Sequence, residues 1–318
     1  MSLMRYAMRY AMRCTAAGSL AVTLVLASTS LSAQSSYPER CGTGLPRAEK
    51  PGYAPLPRGD VFCPLVADPK SAHSFVSVVR EWPDSGVTSS RLASVGIGDR
   101  FALGRWSGKR AGDGVQLSLS AAVFAQFDLG AVSFDLLNAD YVIGLPLTIR
   151  RGRGSLRLRV YHQSSHLGDE YLLREPATRR DRENLSFESL ETTLSVDAGP
   201  LRLYGGGERL LNREPADLAA LVAHAGAEFR PMIWVLPLGK LGGFRFLAAG
   251  DVKSSKEHDW KPSVSARAGL EYDRADGAEV PGRRWGVFAE YYTGPSPYGQ
   301  FFRERVRYGG VGVHFGGF

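Results

Sequence analysis

Methionine almost vanishes after the start of this chain: of five, four fall by position 12, and Met232 alone stands in the body. The residue that fills irregular helical cores is therefore missing. Helical periodicity is missing too, because no segment holds a convincing 3.6-residue pattern over ten residues and even Leu218 to Phe229 reads as well at period two. The apolar run Leu20 to Ala27 is too short for a transmembrane anchor and has no charged stop-transfer segment behind it. With 44% hydrophobic and 22% charged residues, both a disordered polymer and a helical membrane bundle are excluded. What abounds is glycine, 37 residues, which suits closely packed strands.

Residues 1–33 carry Arg5, Arg9 and Arg13 without an acid, then the apolar run, then small residues ending near Ala33. That order is expected of a secretory signal peptide. Its removal lowers the formal charge from +7 to +4, so the basic balance gives no argument for a nucleic-acid partner. Cysteine is scarce, and only Cys41 and Cys63 remain in the exported chain. An oxidising compartment favours a disulfide between them, whereas a metal site lacks further Cys or His between them. Both lie in the proline-rich stretch 34–70, read as a stapled periplasmic extension without a core of its own.

From about residue 71 onward the chain alternates. Val115, Leu117, Leu119, Ala121, Val123, Ala125 and Phe127 share one face, while Gln116, Ser118, Ser120 and Gln126 share the other. The pattern recurs in about twelve segments, near 72–80, 93–106, 114–128, 139–150, 154–166, 184–198, 200–211, 217–230, 243–253, 262–273, 284–293 and 304–318. Most are long enough to cross a bilayer when tilted, and longer than the strands of a soluble sandwich. The expected fold is all-β: a twelve-stranded antiparallel outer-membrane barrel over residues 71–318, in the outer membrane of a bacterial cell.

The polar faces carry both signs of charge: Arg157, Arg159, Asp197, Arg202, Arg245, Asp251, Arg267, Glu271, Glu290 and Arg307. Facing lipid they cost several kcal/mol each, whereas facing a narrow lumen they pair, so a plugged interior is expected rather than an open pore. Phe318 resembles the terminal sorting residue of such barrels, but its parity differs from that of Val311, Val313 and Phe315. Glycine bulges at Gly316–Gly317 and again at Gly309–Gly310 are the expected adjustment. The connection 274–283 is long for the periplasmic side, where turns are short.

One strand carries chemistry. Leu156, Leu158, Val160, His162 and Ser164 share the lipid-facing parity, and the next strand brings Asn184, Ser186 and Glu188 to the same face. His162 as base, Ser164 as nucleophile and either Asn184 or Glu188 as orienting group form a candidate acyl-ester hydrolase acting on membrane lipid or lipopolysaccharide. The alternative is a polar rim on a non-enzymatic structural or narrow-channel barrel. Asp169 and Glu170, in the longest loop, are either calcium ligands or solvated acids; no other cofactor is expected. His224, on an inward parity, reads as a lumen hydrogen-bonder.

The stretch YHQSSHLGDEYLL from Tyr161, with VFAQFD from Val123 and SFDLLNADYVIGLPL from Ser133, resembles a bacterial envelope family catalogued as domain of unknown function 1207. The resemblance runs from about Cys63 to the C-terminus and implies an envelope protein. A narrower likeness rests on HQS alone, since outer-membrane phospholipase A and the lipid A deacylases carry His-x-Ser on an outward barrel face. It implies His162 as base and Ser164 as nucleophile, with Asn184 orienting in the phospholipase pattern and Glu188 in the deacylase variant. The gap to Asn184 is longer than the phospholipase pattern has.

Overall fold

A computed structural model describes residues 51–82, 90–110, 112–174, 183–231, 234–273 and 284–316. The expected signal peptide, Cys41, the connection 274–283 and Phe318 lie outside them. Fourteen strands are described: β1 Gly52–Pro55, β2 Ser74–Glu81, β3 Ser90–Ser107, β4 Gly114–Asp128, β5 Leu136–Arg151, β6 Gly154–Leu167 and β7 Leu185–Ala198. They continue as β8 Leu201–Glu214, β9 Leu221–Phe229, β10 Trp234–Pro237, β11 Gly243–Ser255, β12 Ser263–Asp273, β13 Arg284–Pro295 and β14 Arg305–Gly316. One helical turn, α1, spans Asp169–Leu172.

Every pairing is antiparallel, and twelve strands close on themselves when β14 returns to β2. The other two are short additions, β1 on β3 and β10 on β11. Closure leaves no free sheet edge around the ring, which is what a wall in hydrocarbon requires. One end of the barrel has two-residue turns at 152–153 and 199–200, where Gly152 and Gly199 take positive φ values that a side chain resists. The opposite end carries the longest connection between ring strands, 168–184, while the two-residue-turn end also carries 230–242, which includes β10.

Alternation sets the two faces. Gln116, Ser118, Ser120 and Phe124 on β4 are buried inside, while Ile97, Leu145, Val160, Leu194 and Val311 are each more than half exposed on the outside. At the two-residue-turn end, Tyr53 packs on Trp106, and Phe244, Tyr272 and Trp285 cluster, giving the aromatic girdle usual at a membrane interface. Arg307 is a correction: it is exposed, not inward. The β13–β14 register runs unbroken from Arg305 to Gly316, so no bulge resets the parity at Gly309–Gly310. Val306 and Tyr308 therefore point inward, where Tyr308 stacks on Tyr292.

Ion pairs line the interior. Glu191 receives both Arg157 and Arg159, Asp197 receives Arg150, Glu228 receives Arg202, and Glu271 receives Arg230 and Arg284. These buried charges are tolerable only because each is paired across strands. His224 lies among them, its Nε2 3.2 Å from Thr193 Oγ1.

The stretch expected as a periplasmic extension differs in its described part. β1 and β2 lie on the same edge of β3, and between them the chain leaves the wall at Leu56 and rejoins it at Ser74, with the intervening residues inside the lumen. Val61, Phe62, Cys63, Leu65, Val66 and Ala67 are buried there. Pro57, Pro64 and Pro69 lack N–H groups, so this stretch cannot join the ladder, and its carbonyls need other donors. Wall arginines supply them. Arg105 donates to Arg58 O and Gly59 O at 2.8 Å, Arg202 to Pro64 O at 2.8 Å and Cys63 O at 2.9 Å, and Arg267 to Val66 O at 2.6 Å. The Val66 N–H donates back to Glu228 at 3.0 Å, and the Phe62 ring lies between Arg157 and Arg202. The interior is thus a folded core made by wall and plug together.

Candidate functional site

Strand β6 begins at the tight turn after Arg151 and ends where Gly168 meets β5. A Cβ on Gly168 would stand 1.9 Å from the Leu136 carbonyl oxygen, so only glycine permits that approach, and its N–H donates to Leu137 O. The chain then turns into α1, leaving the last residues of β6 near the long-connection end. Tyr161, Gln163 and Ser165 are buried in the lumen, whereas His162, Ser164 and His166 project outward with Val160.

Register sets their neighbours. His162 stands opposite Ile143 of β5 and Glu188 of β7, and Ser164 opposite Tyr141 and Ser186. Glu188 Oε1 lies 2.9 Å from His162 Nδ1, so a proton on Nδ1 is donated to the carboxylate and Nε2 is left free. The Ser164 hydroxyl is bonded elsewhere. Its Oγ lies 3.0 Å from His166 Nε2, and the His166 ring meets the edge of Tyr141 with centroids 5.7 Å apart. Asn184, exposed just before β7, makes no side-chain hydrogen bond to these groups.

The expected constellation is therefore assembled differently. The structure brings Glu188 to His162 and leaves Asn184 apart, and the imidazole at Ser164 is His166. Two pairs result, a carboxylate–imidazole and a hydroxyl–imidazole, on adjacent positions of one outward face. The hydroxyl–imidazole pair has the geometry in which a nitrogen lone pair accepts the serine proton during attack on a carbonyl. Beside them, an apolar groove of about 520 Å³ crosses the outer faces of β3, β4 and β5, between Ile97, Ala121, Val123, Tyr141 and Ile143, and ends at His162. Asp169 and Glu170 open α1 and are exposed. Among the described residues no three His, Cys, Asp or Glu side chains converge as metal ligands.

The barrel is similar in fold to a solved outer-membrane barrel. Outer membrane phospholipase A from Escherichia coli superposes with a TM-score of 0.51 at 12% identity, covering 78% of this chain and 93% of that one. The outer membrane phospholipase of Salmonella typhi, a dimer with bound calcium, gives 0.48 at 12% identity, covering 77% and 90%. At such identities the likeness is one of fold. Comparison with curated proteins finds no match. The family model for proteins of unknown function DUF1207 matches residues 31–317, and the chain belongs to that family.

Proposed function

We propose that this barrel resides in a bacterial outer membrane and hydrolyses acyl esters of membrane lipid or lipopolysaccharide at the outer leaflet, with Ser164 as nucleophile and His166 as base. The observation that carries this reading is the 3.0 Å contact between Ser164 Oγ and His166 Nε2 on the lipid-facing side of the wall. The longest connection, 168–184, follows β6, which supports placing the last residues of that strand at the outer leaflet.

In the reaction Ser164 Oγ attacks the ester carbonyl as its proton passes to His166 Nε2. Collapse of the tetrahedral adduct expels the alcohol portion, which takes that proton, and leaves an acyl-serine. Water, deprotonated by the same nitrogen, then releases the acid and restores the hydroxyl. The groove ending at His162 offers an apolar bed for the acyl chain. His162, held by Glu188, stands one pleat away as a second imidazole facing the headgroup region.

The test is ester cleavage by purified barrel in mixed micelles of phospholipid or lipid A, with and without calcium, comparing wild type with Ser164→Ala. Cleavage that disappears with the hydroxyl supports the reading. A second reading, a non-enzymatic closed barrel, is favoured by the plugged lumen and becomes the better one when wild type cleaves no ester under any of these conditions.

A further inference from the structure

The outer wall changes character along β13, β14, β2 and β3, whose outward side chains align in rows set by register. One row is Val287, Val313, Val76 and Val95, and the next is Ala289, Val311, Val78 and Ala93, so both are wholly apolar. One pleat nearer the end that carries 168–184, the row becomes Tyr291, Gly309, Arg80 and Arg91. Beyond it Arg307 stands opposite Thr293, and Trp82 N donates to Arg307 O at 2.7 Å. Valine and alanine thus give way to tyrosine, tryptophan and arginine, the change expected where hydrocarbon meets head groups.

The arginines face no acid on that surface. Arg80 and Arg91 are directly opposed on neighbouring strands about 4.8 Å apart, an arrangement that like charges disfavour. Both are exposed, as is Arg307. Among the described residues, the outward positions of these four strands hold no Asp or Glu at this end. Glu81 and Asp128, beside them in register, lie on the inward parity, and Asp128 pairs with Arg174. Neither Arg91 nor Arg307 has an ion pair among the described residues. Three positive charges therefore stand together at the edge of an apolar surface.

We propose that this face holds, in the outer leaflet, a glycolipid whose sugar head group carries more than one phosphate. The phosphates lie at Arg80, Arg91 and Arg307, and the acyl chains lie on the valine and alanine rows. A guanidinium donates two parallel N–H bonds to a phosphate, and the apolar rows remove the chains from water. Charge selects the class: two phosphate monoesters bring about three to four negative charges against the three arginines, whereas a phospholipid diester brings one. The inference uses the outer-leaflet placement proposed above and is independent of ester hydrolysis, since Ser164 lies on β6, separated from β3 by β4 and β5.

The experiment is native mass spectrometry of the full barrel released from micelles containing diphosphoryl lipid A, monophosphoryl lipid A, phosphatidylglycerol or phosphatidylcholine. Diphosphoryl lipid A is expected to bind about tenfold more tightly than the monophosphoryl form or phosphatidylglycerol, and phosphatidylcholine to be lost on release. Arg91→Gln and Arg307→Gln each weaken diphosphoryl lipid A by about tenfold, whereas Arg209→Gln, at an exposed arginine of β8, leaves it unchanged. Inorganic phosphate in excess does not displace the lipid, because it has no chains to bury. Heat-modifiable migration establishes that each variant is folded, and the lipid series on wild type decides where a variant is not. Selective retention without ester cleavage supports this inference and not the hydrolase reading; cleavage without selective retention does the reverse. Equal retention of diphosphoryl lipid A and phosphatidylglycerol, or retention indifferent to both Arg91→Gln and Arg307→Gln, overturns the inference.

Discussion

The inner and outer faces of β6 differ in why their polar residues are there. Inside, Arg157 and Arg159 share Glu191 and the Ser165 carbonyl accepts from Gln300 of the folded-in connection between β13 and β14, so these polar groups serve the structural demands of the wall and what packs against it. Outside, Leu156, Leu158 and Val160 meet no such demand, and the three polar residues that follow them bond only each other and Glu188. Charge inside this barrel serves its architecture, whereas the outward His162, Ser164 and His166 make their bonds within the outer face, and the proposed function rests on them.

The largest effect expected from breaking this contrast is on turnover. Ser164→Ala lowers ester hydrolysis by about 10³-fold or more, and His166→Ala by nearly as much, because nucleophile and base act as a unit; their combination costs little beyond either alone. Both variants unfold within about 0.5 kcal/mol of wild type, measured by urea titration in lipid vesicles.

On the inner face the signs reverse. Arg202→Ala strands Glu228 and takes the donor from the carbonyls of Cys63 and Pro64, so it is expected to destabilise the barrel by about 3–5 kcal/mol in the same titration. Hydrolysis per folded molecule stays at the wild-type rate. A barrel that loses activity but not stability on this substitution breaks the division between the faces.

The groove gives an intermediate effect. Ala121→Trp narrows the bed between Ile97 and Ile143, and long-chain esters lose about tenfold in kcat/KM relative to short-chain ones. Equal loss for all chain lengths places the acyl chain elsewhere. The smallest effect is electrical: wild-type barrel in planar bilayers shows no large ohmic conductance, because the segment from Pro57 to His73 fills the lumen.

Much of the wall is legible in the sequence because alternation over eight or more residues has one physical meaning. All twelve ring strands fall within a few residues of the positions read from period two, as β4 at Gly114–Asp128 shows. β1 and β10, four residues each and ending at Pro55 and Pro237, are too short to display a period. The plug is not legible for a different reason. Its prolines announce irregular backbone, but where that backbone lies is decided by Arg105, Arg202 and Arg267, 46 to 201 residues away from the carbonyls they bind, of which Arg202 and Arg267 read from the sequence only as lumen charges. Arg307 was misread because a bulge was expected at two glycines through which the ladder in fact runs straight.

The site was legible as a face but not as a set of bonds. Strand alternation places His162 and His166 symmetrically about Ser164, two residues before and two after, so period alone cannot choose between them. The choice is made by neighbours on other strands. Glu188 draws the ring of His162 away, and Tyr141 stands against the ring of His166. Register between β5, β6 and β7 had to be known before either contact was visible.

Active-site labelling addresses the central claim most directly: purified barrel is treated with an alkyl fluorophosphonate and the modified peptide is mapped by mass spectrometry. Modification at Ser164, retained in His162→Ala and strongly slowed in His166→Ala, is the predicted result. No modification of Ser164, or modification that survives His166→Ala and is lost in His162→Ala, contradicts it.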